Sequence, residues 1–289
     1  MGAAFLITLR EGIEAALLIS IILAYLNAIG RRDRHRTVWA GTAAALGGSV
    51  VAGAVIFLVA GELSHTASEA FEGVVSYLAV GVLTWMIFWM RRNAIKIKGD
   101  LHERVDVAVA SRSTLALGTL AFLVVGREGL ETALFLFSAF KATAETPAAL
   151  TILGAVLGLA LASGLGVALY KGGIRLNLRT FFRVTGALIL VVAASLLVYG
   201  THELLEVGAF RFLGGGVLLS EAPVGAVVMS AINRVVVGLG GTPTWLEFGL
   251  WLLYLVVTGF LFFRPAPSPA RRPAAEGAAD GPAGVRGSA

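Results

Sequence analysis

Long apolar runs separated by short polar segments make up most of this chain. A helix needs about 20 residues, each rising about 1.5 Å, to cross a hydrocarbon layer about 30 Å thick. Runs of about this length lie at approximately residues 3–28, 38–60, 70–90, 114–140, 148–170, 181–204 and 245–263. The pattern therefore predicts an all-α, polytopic membrane protein with seven transmembrane helices.

The composition agrees with this class and narrows the chemistry. Of the 289 residues, 57% are hydrophobic and 14% are charged, whereas soluble domains have about 25% charged residues. The chain has no Cys, which excludes disulfides, thiolate metal sites and thiol nucleophiles. No cationic stretch precedes the first run, so we expect that run to remain as a span rather than be cleaved as a signal peptide.

The basic residues are distributed unevenly between the two ends of the predicted helices. Most of the 23 Lys and Arg residues follow the first, third, fifth and seventh runs, whereas Lys141, Arg211 and Arg234 fall in the other connections. The positive-inside rule then places the N-terminus outside and the C-terminus in the cytoplasm. These flanking charges indicate membrane topology and not nucleic-acid binding. Residues 1–264 form the predicted membrane domain, and the Pro, Ala and Gly-rich segment 265–289 is predicted to be a disordered cytoplasmic tail.

Two of the apolar runs contain charged residues in their interior. The first run holds one set and the fourth holds the other: Arg10, Glu11 and Glu14, then Arg127, Glu128 and Glu131. The apolar residues on either side of each set are too few to cross a bilayer, so the charges must lie within the spans. A charge at this depth costs about 2.5–3.5 kcal/mol on insertion scales, and it must therefore face the bundle interior.

The spacing within each set places its charged groups together. The two glutamates are three residues apart and share a helix face, while the arginine precedes the second glutamate by four residues and can pair with it. One interpretation is a structural clamp between helices, but a clamp needs one Glu per Arg and each set has two. The four Glu and two Arg leave a formal charge of −2, which an incoming cation would neutralise. Gly12 and Gly129 fit either close helix packing or space for an ion.

Carboxylate ligands without Cys suit hard or borderline cations such as Mg, Ca, Mn and Fe, rather than Cu(I). Met86 and Met90 are predicted low in the third run, near its cytoplasmic end. The residues alone leave the identity of the cation open.

The two sets also predict an internal repeat. The first run descends from outside and the fourth ascends from inside, which describes inverted three-helix repeats at about 3–90 and 114–206, followed by a seventh helix at about 245–263. A second matching feature lies at the external boundary, where a Glu-x-x-Glu sequence begins the third run and another ends the sixth run. Candidate residues for external cation recruitment are Glu69, Glu72, Glu203, Glu206, His65 and His202. Ordinary interfacial solvation is the alternative role for these residues.

The doubled Arg-Glu-Gly-x-Glu sequence resembles the signature of the oxidase-dependent iron permease family, which includes fungal high-affinity iron permeases and bacterial inner-membrane ferrous-iron permeases. Three further segments are similar to the bacterial branch: Glu69–Gly73, Leu83–Arg91 and Tyr170–Leu178. The Gly-rich segment 207–244, an external loop in the predicted topology, departs from the bacterial members.

The resemblance implies a seven-helix permease of the inner membrane that moves iron inward as Fe²⁺ or Fe³⁺. Its metal pathway would comprise Glu11, Glu14, Glu128 and Glu131, supported by Arg10 and Arg127. It also implies extracytoplasmic partners, such as an oxidase, a peroxidase-like protein or an iron-binding protein. Lead-uptake permeases have a similar motif, so lead or manganese remains an alternative substrate.

Two other classes compete with a metal permease. A di-iron carboxylate enzyme would place Glu-x-x-His on facing helices, and neither motif run contains that pattern. A proton-coupled carrier of organic cations would need an aromatic-lined pocket, whereas the motif runs are rich in Ala and Leu. We therefore expect a transporter that is not an enzyme and has no permanently bound cofactor.

Overall fold

The structure is a computed structural model, and it describes residues 1–93, 97–111, 113–143, 146–171, 178–209, 217–225, 227–228 and 243–264. The helices with assigned bounds are α1 (Gly2–Ala28), α2 (His35–Glu62), α3 (His65–Asn93), α4 (Ile97–Ala110), α5 (Thr114–Ala142), α6 (Ala148–Tyr170), α7 (Leu178–Glu206) and α8 (Trp245–Phe263). Within the described ranges, β pairing is limited to one bridge between Glu221 and Thr244. The predicted all-α class is confirmed.

Five of the described helices are long and apolar enough to cross a membrane: α2, α3, α6, α7 and α8. Helices α1 and α5 have 27 and 29 residues, which is the same length range, but each carries its three charged motif residues near mid-helix. The chain is therefore a polytopic membrane protein, and both motifs lie on long helices.

Several helix ends follow from local sequence. Helix α1 ends just before Gly30, and α7 just before Gly208; each glycine has a φ of 74°, a left-handed conformation that glycine adopts without steric cost. Helix α6 begins directly after Pro147. Helix α8 begins with a capping box, in which the Thr244 side chain accepts from the backbone of Glu247 and the Glu247 side chain accepts from the backbone of Thr244.

Helix α4 lies between the third and fourth predicted runs, in a segment whose charged residues do not predict a span. Its 14 residues include charged side chains throughout. Leu101, Val105 and Ala108 are nevertheless buried, and their spacing places them on one face. This face packs against α1 and α5, so α4 covers one end of the two motif helices.

The most extensive helix pairs are α1 with α6, α2 with α5, and α3 with α7. Small residues line these contacts. A side chain at Gly158 of α6 would collide with Thr8 of α1, and one at Gly41 of α2 would collide with the backbone of Gly118 of α5. Residues without large side chains let helix backbones approach closely, which is how membrane helices gain packing energy.

The largest buried cluster lies at the centre of the bundle and is built from α1, α3, α5, α7 and α8. Its members include Ile7, Met86, Phe135, Ile189 and Phe262. Helices α2 and α6, in contrast, expose many of their large apolar side chains. The motif helices α1 and α5 therefore lie in the interior, with α2 and α6 on the periphery.

Candidate metal site

Carboxylates from both motifs meet inside the bundle. Glu11 of α1 and Glu128 and Glu131 of α5 each offer one oxygen, and these three oxygens lie within 4.8 Å of one another. Glu11 is 1% exposed and Glu128 is 4% exposed. The two sequence motifs, 117 residues apart in the chain, thus form one site, which we call the glutamate cluster.

Arg10 holds the first motif together. Its Nη1 atom lies 3.0 Å from Glu11 Oε1, and its Nη2 atom lies 3.1 Å from Glu14 Oε1. The pairing of Arg10 with Glu14, four residues apart, matches the prediction from helix geometry. Glu14 is bound in this way and does not belong to the group of three close oxygens. The guanidinium of Arg10 therefore pairs with both glutamates of α1.

Met86 is a third partner of Arg10. Its Sδ atom lies 3.6 Å from Nη1 of Arg10, and the residue is fully buried on α3. The sequence predicts Met86 near the cytoplasmic end of the third run, and the contact with Arg10 adds that this residue borders the first motif. Helix α3 runs from His65 to Asn93, longer than the predicted run 70–90, and it packs beside α5 and α7 so that Met86 reaches the motif of α1.

The second motif is arranged differently. Arg127 Nε donates to Glu131 Oε1 at 2.8 Å, again the predicted pairing of residues four apart. The Arg127 side chain is 39% exposed, and its guanidinium lies 5.5 Å from the ring centroids of both Trp85 and Trp89. Arg127 thus lies at the edge of the glutamate cluster. Among the described residues, Glu128 has no arginine partner within salt-bridge distance.

The motif glycines serve helix packing. A Cβ at Gly12 would lie 2.7 Å from Cβ of Ala162 on α6, and a Cβ at Gly129 would overlap the Ser49 hydroxyl on α2. Each motif glycine therefore touches a small residue of a peripheral helix. Of the two interpretations of these glycines, the geometry favours close packing.

Three carboxylate oxygens at the cluster are buried without a hydrogen-bond partner: Glu11 Oε2, Glu128 Oε2 and Glu131 Oε2. Buried charged oxygens carry a large desolvation penalty unless something compensates them. The two arginines leave the four motif glutamates with an excess negative charge, as the sequence indicates. Such an arrangement can accept a hard or borderline cation, with oxygens supplied by both helices.

A second acidic site lies at the end of the bundle formed by the start of α3 and the end of α7. A cavity of about 260 Å³ is lined by His65, Ser68, Glu69, Glu72, Glu203 and Glu206. Five of the six candidate recruitment residues are therefore brought together in one place, which we call the acidic pocket. The sixth, His202, is not among the lining residues; its Nε2 lies 3.5 Å from Glu206 Oε1.

The carboxylates of the acidic pocket are not equivalent. Glu72 receives Lys141 Nζ at 2.7 Å and Ser68 Oγ at 2.9 Å, and Tyr199 donates a short hydrogen bond to its second oxygen. Glu69 has no Lys or Arg within salt-bridge distance among the described residues; His65 Nδ1 lies 2.7 Å from its Oε1, and its carboxyl also hydrogen-bonds that of Glu206. Glu72 is thus already neutralised by the protein, while Glu69 is closer to a free ligand.

Sequence reasoning missed three residues of this region. Lys141 and Tyr199 bind Glu72, and neither partnership is visible from local spacing because the residues belong to different helices. Glu247 is 2% exposed and accepts from His202 Nδ1 at 3.0 Å, linking α8 to the pocket. Its capping role was readable, since Thr-x-x-Glu before an apolar run is a capping-box signature.

Some sequence-based predictions fall outside the described residues. These are the tail 265–289, most of the segment 207–244, and residues 172–177 of the family-like segment Tyr170–Leu178.

Comparison with known proteins identifies the family. The model of the iron permease FTR1 family matches residues 1–238. The chain is 36% identical over 273 residues to the ferrous iron permease EfeU of Escherichia coli and to that of Shigella sonnei, in each case covering 92% of this chain and 96% of the relative. It is 34% identical to the ferrous iron permease EfeU of Yersinia pestis, covering 93% of this chain and 96% of that protein. No solved structure matches.

These matches agree with the apolar helices, and together they assign the chain to the inner membrane as a multi-pass protein. The resemblance first seen in the doubled motif is confirmed over most of the sequence. The chain belongs to the iron permease FTR1 family.

Proposed function

We propose that this protein is a permease that moves iron ions inward across the inner membrane through the glutamate cluster. The observation that carries the proposal is the convergence of Glu11, Glu128 and Glu131, from two helices, within 4.8 Å. Buried carboxylates at mid-helix cost free energy within a membrane, and a permeating cation supplies positive charge that balances them. Transport, rather than catalysis, is the function, and iron is its substrate and not a resident cofactor.

The proposed topology has seven spans, with α1 and α5 crossing the membrane alongside the five more apolar helices. Both have more than the about 20 residues needed, and their charged groups are turned toward one another. The N-terminus lies outside and the C-terminus in the cytoplasm, as the distribution of Lys and Arg predicts. The short helix α4 then lies on the cytoplasmic side.

An inverted repeat relates residues 3–90 and 114–206 in this proposal. The repeat relates α1 to α5 and α2 to α6. It therefore relates the helix pair α1–α6 to the pair α5–α2, and both pairs form extensive contacts. The repeat also relates α3 to α7, so these two helices exchange places and their pair is related to itself. Within this pair Gly73 and Gly200 face each other. Transporters with this architecture place the substrate site at the repeat interface, which here is the contact of α1 with α5.

The proposed path begins at the acidic pocket on the external side. Glu69, Glu203 and Glu206 attract the cation with help from His65 and His202, while Glu72 is held by Lys141. The ion then loses water to the oxygens of Glu11, Glu128 and Glu131. Glu14 contributes by fixing Arg10, and release occurs toward the basic cytoplasmic side.

Carboxylate chemistry alone does not distinguish iron from other divalent metals, so lead or manganese is the second candidate substrate. An organic-cation carrier is disfavoured because Trp85 and Trp89 are engaged by Arg127. Extracytoplasmic oxidase, peroxidase-like or iron-binding proteins would meet the chain at the acidic pocket.

The test is uptake of radioactive iron into proteoliposomes, offered as Fe²⁺ under ascorbate or as chelated Fe³⁺. Glu11→Gln and Glu128→Gln remove one charge each with little change in volume, and we expect both to abolish uptake. Glu103→Gln on the exposed surface of α4 is the matched control and should retain it. Full uptake by the Glu11 and Glu128 variants would refute the pathway, and transport of lead or manganese without iron would replace the substrate.

A further inference from the structure

Most described Ser and Thr hydroxyls within the spanning helices are satisfied by their own helix. They donate to the carbonyl four residues earlier, a common solution for hydroxyls away from water. The residues that do so include Thr8, Thr42, Ser49, Thr84, Thr132, Thr185, Ser195, Thr201 and Thr258.

Two buried serines of these helices have no such partner. Ser76 on α3 is 1% exposed and Ser138 on α5 is 0% exposed, yet neither hydroxyl has a hydrogen-bond partner among the described residues. A buried hydroxyl without a partner costs free energy, and each such group calls for an explanation. Neither serine hydroxyl donates to the carbonyl four residues earlier as the other hydroxyls do, so each remains free for another ligand.

Both serines lie between the acidic pocket and the glutamate cluster. Ser76 follows Glu72 by one helical turn on the same face of α3, about 6 Å deeper along the axis. Ser138 precedes Lys141, the partner of Glu72, by three residues, and it lies on the same face of α5 as Glu131, about 10 Å away. A cation moving from the pocket to the cluster must cross the depth at which these two hydroxyls lie.

We infer that Ser76 and Ser138 are oxygen ligands that the permeating cation uses between its two carboxylate sites. The inference deepens the proposed function and rests on it. Hydroxyl oxygens are hard donors that can replace water around a hard or borderline cation. Because they carry no charge, they bind the ion more weakly than the glutamates, and conduction requires intermediate sites that release what they bind.

The first test compares Ser76→Ala and Ser138→Ala with Ser195→Ala, a matched control whose buried hydroxyl donates to Val191. We expect each of the first two variants to lower the rate of iron uptake into proteoliposomes on the order of tenfold, the effect of losing one oxygen contact to a charged ligand. Their melting temperatures should stay equal to the wild type or rise, because the lost hydroxyl had no partner. The Ser195 variant should transport at the wild-type rate. Wild-type uptake by both Ser76→Ala and Ser138→Ala would overturn the inference.

The second test needs no iron transport and uses the absence of Cys from the chain. Ser76→Cys and Ser138→Cys each introduce one thiol, which we expect to react with a small cationic methanethiosulfonate reagent added from outside. Mn²⁺ should slow this reaction at least severalfold, while a thiol introduced by Ser195→Cys should not react. Absence of reaction at both positions, or reaction that Mn²⁺ leaves unchanged, would overturn the inference.

Failure of this inference can be distinguished from failure of the proposed function. If the wild type transports iron and the Glu11 and Glu128 variants do not, the proposed function stands while the serine variants are judged on their own. If the wild type carries no iron, the proposed function fails, and protection of the introduced thiols by Mn²⁺ still decides whether a cation reaches Ser76 and Ser138.

Discussion

The two motif arginines differ in their surroundings, so the same replacement should have unequal consequences. Arg10 contacts two glutamates through separate nitrogens and is 2% exposed at the side chain. Arg127 contacts one glutamate and is 39% exposed. Lysine keeps the charge but offers a compact ammonium in place of a planar fork. In Arg10→Lys, one of the two carboxylates therefore loses its partner while remaining buried.

The magnitudes follow from these contacts. A charge-assisted hydrogen bond in a buried site contributes about 1.5–3 kcal/mol, so Arg10→Lys should lower the free energy of unfolding by about that amount. Arg127→Lys weakens an ion pair whose arginine is partly exposed, and it loses part of a cation–π interaction, together about 0.5–1 kcal/mol. At roughly 2–4 °C per kcal/mol for a chain of this size class, the melting temperature should fall by about 3–12 °C for Arg10→Lys and by at most about 4 °C for Arg127→Lys.

The assay is thermal unfolding of the purified variants in one detergent, followed by tryptophan fluorescence, with iron uptake measured in parallel. Both variants should transport less than the wild type, and Arg10→Lys should be the more impaired. Arg10→Met is the control for loss of the charge and should be less stable than Arg10→Lys. Equal shifts for the two lysine variants, or a larger shift for Arg127→Lys, would refute the reasoning that the contacts of Arg10 organise the first motif.

Three other outcomes are expected. Gly129→Ala should destabilise the protein because its Cβ would overlap the Ser49 hydroxyl, and adding Ser49→Gly should restore the melting temperature; no restoration would mean that the clash is not the cause. Lys141→Gln should tighten Mn²⁺ binding at the acidic pocket, measured by electron paramagnetic resonance, because it removes the positive charge 2.7 Å from Glu72; unchanged binding would argue against a cation site there. Glu247→Ala removes one of the two hydrogen bonds of the capping box and should cost about 0.5–1.5 kcal/mol of stability in a thermal melt, whereas an unchanged melting point would contradict that role.

Local spacing predicted the parts of the site that lie on one helix. Both ion pairs between residues four apart, Arg10 with Glu14 and Arg127 with Glu131, are present as expected. The bond from Arg10 to Glu11 was not expected, because adjacent residues point in different directions on a helix. The long arginine side chain spans that difference, and only the packed structure shows that it does.

Contacts between helices were beyond what the sequence alone could specify. The partnerships of Glu72 with Lys141 and of Arg10 with Met86 depend on how α3, α5 and α1 are aligned in depth. Helix α4 was missed because its apolar residues alternate with charged ones and only three of them, Leu101, Val105 and Ala108, form the buried face. In each case the information lies in the mutual arrangement of helices, which hydrophobic pattern and spacing do not encode.

The pairing of helices has a consequence for motion. Each motif helix packs most extensively on the second helix of the opposite unit of the proposed repeat, α1 on α6 and α5 on α2, and far less on the second helix of its own unit. The two halves of the sequence are therefore held together by these helix pairs. Neither half can move as a rigid body unless these closely packed contacts separate. If access to the proposed iron site alternates between the two sides, the moving bodies are the helix pairs α1–α6 and α5–α2, and they meet where α1 contacts α5 and the motif glutamates lie.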